Sequence, residues 1–98
     1  IVLHAGSIID LAVNVNNAKI DNILRVEMSA GDAILIPANY AHGFISLTDN
    51  VVLQYFMDNE YSQKNYKGLN LKKYLEREFP KLDLIISDND KNLNEFIL

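Results

Sequence analysis

Four side chains in this sequence have the types and surroundings for proton chemistry: Asp10, His42, Tyr55 and Asp90. His42 sits in the run Ile36-Pro37-Ala38-Asn39-Tyr40-Ala41-His42-Gly43-Phe44, and Tyr55 follows it by thirteen residues. A Pro-Ala-Asn turn leads into the histidine, and Thr48-Asp49-Asn50 reads as a second turn. Strands over 41–47 and 51–57 would then form a hairpin that holds His42 and Tyr55 on one wall, a few ångströms apart. Taken singly, each residue has a plainer reading. A lone strand histidine is also a structural hydrogen-bonder, and Tyr55 shares its parity with Val51, Leu53 and Met57 as a core tyrosine would. Asp10, between Ile9 and Leu11, is either a solvated edge-strand residue or part of a buried network, because a buried carboxylate needs partners. Asp90 follows Ser87 with the spacing of a helix-capping box.

The elements that must position these residues follow from hydrophobic periodicity. Residues 8–15 alternate, with Ile9, Leu11, Val13 and Val15 on one side and Ile8, Asp10, Ala12 and Asn14 on the other. The second set is small and polar, as in a strand lining a cavity. Residues 23–28 alternate again, placing Leu24, Val26 and Met28 inward and Arg25 and Glu27 outward. A turn at Ser29-Ala30-Gly31-Asp32 leads to a short apolar strand over 33–36, which Pro37 ends. Turn signals every 8–12 residues suit an antiparallel sandwich or barrel. Beyond Tyr61 the period becomes helical. Asn70 reads as a cap, with Leu71, Tyr74, Leu75 and Glu78 or Phe79 on one face and Pro80 after the end. Residues 84–86 read as a short strand, and Ser87-Asp88-Asn89-Asp90 starts a last helix carrying Leu93, Phe96 and Ile97.

Composition bounds the possibilities. Ninety-eight residues, 49% apolar and 22% charged, describe one small globular domain. There is no cysteine, so disulfides, thiol catalysis and thiolate ligation are unavailable. That fits a reducing compartment, and the expected location is the cytoplasm. His4 and His42 form no His-x-His pair, so a three-ligand metal site would require several carboxylates, and no metal is expected. No Ser lies in a G-x-S-x-G elbow. The net charge of −4 argues against nucleic acid. The apolar runs are far shorter than the ~20 residues of a membrane span, and no signal-peptide pattern is present. Six of nine basic residues lie between Lys64 and Lys81, as a solvated helix face or a phosphate contact. The chain begins with Ile inside an apparent strand, which points to a fragment or a processed piece.

The segments line up with one known family. Gly6-Ser7-Ile8-Ile9-Asp10-Leu11-Ala12-Val13 resembles the "GEVFDVAVD" strand of the dTDP-4-dehydrorhamnose 3,5-epimerases. Met28-Ser29-Ala30 resembles their "LSAEN" turn, and "IPANYAHGF" is similar to "IPEGFAHGF". "LQYFMDNEYS" resembles "LYKATDYYSP", and "IISDND" resembles "PILSEKD". The resemblance runs nearly end to end. It implies a mainly β, cupin-type jelly roll with short C-terminal helices, incomplete at its N-terminal side, with residues 1–98 as a single domain. It also implies a homodimer.

By the same resemblance, Tyr55 falls on the family's proton-donating tyrosine and His42 on its substrate-binding histidine. Asp10 falls on the buried aspartate of the active-site wall, and Asp90 on the aspartate that orients the catalytic base. The implied substrate is a nucleotide-diphosphate 4-keto sugar of surface-polysaccharide synthesis. Its ketone is the electron sink, so no cofactor is needed. The family's catalytic histidine ("GLHFQ") and lysine would both precede Ile1, and the chain alone is expected to be inactive. Tyr66 replaces a family glutamate, Asn89 a basic residue, and "GLNLKKYLEREFP" a Trp-Asn-Asp segment. These departures leave open another nucleotide sugar, a non-catalytic cupin remnant that binds a sugar or partner, or a 3,4-ketoisomerase.

Overall fold

The computed structural model describes residues 1–57, 69–82, 85, 94 and 95. Two antiparallel sheets carry the structure. The first pairs β1 (Val2–Ala5) with β5 (Val52–Gln54). The second has β2 (Ser7–Asn14) at its centre, between β3 (Leu24–Ser29) and β4 (Tyr40–Ser46). A two-residue parallel pair joins β6 (Leu69–Asn70) to β7 (Asn94–Glu95), and one helix, α1, spans Lys72–Glu78.

β2 is central because its alternation lets both faces bury something. Ile9, Leu11, Ile45 and Tyr74 form one buried cluster, with Ile23, Leu71, Leu75 and Phe79 packed against it. The odd-numbered face of β2 is therefore covered by α1, whose apolar residues recur at helical spacing. Arg25, on the same face across the β2–β3 pairing, lies 4.6 Å over the Phe79 ring and ties β3 to the helix end. Leu3, Ile8 and Met28 form a second cluster with Ile34, Val51 and Leu53. This is the seam between the two sheets, and it uses the even-numbered face of β2.

Both crossings from sheet to sheet pass Gly6. The chain turns there between β1 and β2 with φ +86, and a Cβ built on it would stand 2.5 Å from the Asn50 carbonyl oxygen and 2.7 Å from Thr48 Oγ1. Only glycine fits both the backbone conformation and that close approach. The Thr48 hydroxyl accepts from the Ser7 N–H at 3.1 Å, and the Leu47 N–H reaches the Ser7 carbonyl at 2.9 Å. These bonds fix the path of the chain from β4 to β5.

Several expectations are corrected. The sheets are not closed into a barrel or jelly roll. Among the described residues β3 and β4 pair only with β2, and β5 only with β1, so each sheet keeps open edges. The expected hairpin does not form either: β4 pairs with β2 and β5 with β1, so 47–51 is a crossing between sheets. Residues 33–36 give a single bridge, Val2 to Ala33, rather than a strand. Val15 belongs to a 3-10 turn (Val15–Asn17) and is exposed, not part of the apolar face. The cap of α1 is Leu71 without a side-chain hydrogen bond, because Asn70 ends β6. Leu93, Phe96 and Ile97 of the expected last helix lie outside the described residues, and the two described residues of that stretch, Asn94 and Glu95, pair as β7.

Candidate active site

The even-numbered face of β2 carries the polar residues, and the sheet register sets their neighbours. Asp10 stands opposite Val26 on β3 and Phe44 on β4, while Ala12 stands opposite Leu24 and His42. Directly paired residues share a face, so one surface holds Asp10, His42, Phe44, Val26 and Leu24 around the small Ala12. Beyond the seam formed by Ile8 and Met28, this surface is only partly covered.

Asp10 is 2% exposed, the one buried polar or charged residue among the described residues. Its Oδ1 accepts a short hydrogen bond from His42 Nε2, whose side chain is mostly buried. A carboxylate accepts this bond, so the proton lies on Nε2; whenever the ring is neutral, Asp10 favours the Nε2–H tautomer. This resolves the open reading of Asp10: it is a networked carboxylate, not a solvated edge residue.

Tyr55 arrives from the other sheet, one residue past β5. Its ring meets His42 edge to face, with centroids 6.1 Å apart and planes at 75°, a favoured aromatic geometry. Burial pushes the Tyr55 phenol above its ordinary value, and the Asp10 carboxylate adds to the shift by disfavouring a second negative charge. Near neutral pH the hydroxyl keeps its proton. The ring is nonetheless half exposed, so that proton is within reach of solvent-side groups.

The structure thus brings Asp10, His42 and Tyr55 together, although not through a hairpin. Asp90 lies outside the described residues, as do Tyr66 and Asn89. His4 bonds Gln54 Oε1 through Nε2 at 2.8 Å on the exposed β1–β5 pair and takes no part. Among the described residues no three His, Asp or Glu side chains gather as a metal would require.

Sequence reasoning missed the apolar border of this cluster. Leu24 and Val26 are expected to point inward by parity, yet they and Phe44 are each more than 40% exposed. Their register opposite Asp10 and Ala12 is the signal that could have identified them. Together they give a charged, hydrogen-bonded pair a rim of apolar surface, an arrangement that can seat the carbon face of a ring while polar atoms meet the pair.

A family model described as dTDP-4-dehydrorhamnose 3,5-epimerase matches residues 1–97. The chain belongs to the dTDP-4-dehydrorhamnose 3,5-epimerase family. A similar protein is the dTDP-4-dehydrorhamnose 3,5-epimerase of Shigella flexneri, 29% identical over 97 residues, which are 94% of this chain and 54% of that protein. The chain therefore spans about half the length of that relative. No solved structure matches it. Membership places the chain in an isomerase lineage linked to nucleotide sugars. Among the described residues no helix is long and apolar enough to cross a membrane.

Proposed function

We propose that this chain supplies the acid–base wall of a nucleotide-sugar 3,5-epimerase working beside a C4 ketone. The observation that carries the reading is the buried Asp10–His42 pair with a protonated Tyr55 against it. Each role follows from chemistry. The ketone acidifies the C3 and C5 hydrogens, and removal of one leaves an enolate. Tyr55 returns a proton to the opposite face of that carbon, so the configuration changes without net oxidation or reduction. His42, fixed in one tautomer by Asp10, binds the sugar, with Asp10 acting as a positioning residue. The base is assigned, by family resemblance, to a histidine that would precede Ile1, with Asp90 as its partner. The reading includes no cofactor, a homodimer, and a cytoplasmic setting in deoxysugar synthesis for capsule or lipopolysaccharide. Residues 1–98 belong to a single domain in this proposal.

The departures at Tyr66 and Asn89 favour a second reading, a non-catalytic relative that binds a sugar or a partner. One experiment separates the two. A protein extended through the upstream histidine, given a 4-keto nucleotide sugar in D₂O without added metal, should place deuterium at C3 or C5. Tyr55→Phe should cut epimer formation by ~10²–10⁴-fold while exchange survives, since the donor acts after the base. Binding of the sugar with no exchange at either carbon would select the non-catalytic reading.

A further inference from the structure

A second polar feature lies on the same face of the central sheet, further along β2. Asn14 is four residues past Asp10, about 13 Å along an extended strand, and it pairs with Tyr40 at the start of β4. A cleft of about 390 Å³ opens there, lined by Asn14, Asn17, Asp21, Asn22, Leu24 and Tyr40. That volume falls at the low end of the ~300–1,000 Å³ typical of small-molecule sites. Neither Asp10, His42 nor Tyr55 lines it.

Local bonds hold the rim in place. Asn14 Oδ1 accepts from the Asn16 N–H at 2.9 Å, and the Asn22 side chain donates to the Asn17 carbonyl at 3.0 Å. The Asn22 N–H reaches the Lys19 carbonyl at 2.9 Å, and the Val15 N–H reaches the Asn39 carbonyl at 2.8 Å. Asn39 holds φ +68 to make that last contact, in the left-handed region that Asn tolerates better than most residues. The rim is thus braced before any ligand arrives, which lowers the cost of binding.

Its unused groups define the ligand. The Asn17 amide, the Asp21 carboxylate and the Tyr40 hydroxyl make no hydrogen bond among the described residues, and one side-chain atom each of Asn14 and Asn22 also remains open. Amides offer both donors and acceptors, and the carboxylate only acceptors. Adjacent hydroxyls, each donor and acceptor at once, match that mixture. The Tyr40 ring and the half-exposed Leu24 supply apolar surface for carbon-bound hydrogens. A single carboxylate among the lining groups, without a cation, disfavours phosphates and other anions, and it is too few for a metal.

We propose that this cleft binds an uncharged monosaccharide ring, independently of the Asp10–His42–Tyr55 cluster. The test is a titration of the isotope-labelled 98-residue chain with glucose, galactose and mannose, followed by amide chemical shifts, with glycerol as a polyol control. At least one sugar should give saturable millimolar shifts at the Asn17 and Asn22 side-chain amides and the Tyr40 backbone, and glycerol should not. Asn17→Ala should weaken binding about fivefold and Asp21→Ala about tenfold, as lost neutral and charged hydrogen bonds do. Both residues are exposed, so folding should survive. His42→Ala should leave the affinity within about twofold, which separates this site from the proposed epimerase chemistry. Absence of saturable shifts, equal response to glycerol, or unaltered affinity in both cleft variants would overturn the proposal.

Discussion

On one face of β2, Ile9 and Leu11 lie under Tyr74 of α1, sealed from water. On the other, one residue away along the chain, Asp10 is equally buried but bonded to His42, and its neighbours Leu24, Val26 and Phe44 stay half open. The same strand therefore presents a closed apolar surface and a polar pair with an exposed apolar rim. An exposed rim contributes little to folding, since much of its area never leaves water. An apolar rim beside a buried, hydrogen-bonded carboxylate is the surface that the proposed function would use.

The comparison breaks most directly on substitutions that move one face and not the other. Leu11→Ala should cost about 2–5 kcal/mol in urea unfolding of the chain, as buried leucine truncations do. Val26→Ser, on the rim, should change stability by less than about 0.5 kcal/mol. Equal losses would mean that the two faces are not distinct. A double-mutant cycle with Asp10→Asn and His42→Ala comes next in size. A hydrogen bond to a charged group is worth about 1.5–3 kcal/mol, and the two changes should couple by an amount of that order at neutral pH. Additive effects would mean that the pair does not act as a unit.

A smaller effect concerns Tyr55. The tyrosinate absorbance lost in Tyr55→Phe should titrate above the ordinary value of about 10, since burial and Asp10 both raise it. Asp10→Asn should lower that midpoint without restoring the ordinary value, because burial is the larger cause. The sign for stability follows. The folded state holds the proton more tightly than the unfolded chain, so this contribution is fully present below about pH 10 and is lost as pH rises through the folded value. Tyr55→Phe should flatten that alkaline slope.

Much of this arrangement is legible in the sequence, and the failures have physical causes. The alternation around Asp10 reveals the two faces because a strand has period two, and the helical spacing of Leu71, Tyr74, Leu75 and Phe79 reveals the cover over one of them. The nearness of His42 and Tyr55 is also foreseeable, but the route to it is not. Periodicity states that 41–47 and 51–57 are extended; it does not state which strands they join. Gly6, whose close approach to Asn50 and Thr48 lets the chain cross between sheets, carries no periodic signal. The rim is misassigned because parity gives a side chain's face and not whether that face is covered. The jelly roll, which the family resemblance implies, is not formed, because likeness of short segments does not specify which sheet edges close.

The central proposal is that Asp10 fixes the His42 ring in one tautomer, as a sugar-binding group needs. The direct test is a nitrogen-15 spectrum of the His42 imidazole in its neutral form, in the chain and in Asp10→Ala. A single tautomer is expected, with the proton on Nε2 and Nδ1 unprotonated, and that preference should be lost when the carboxylate is removed. A proton on Nδ1, or a mixture of tautomers unchanged by Asp10→Ala, would contradict it.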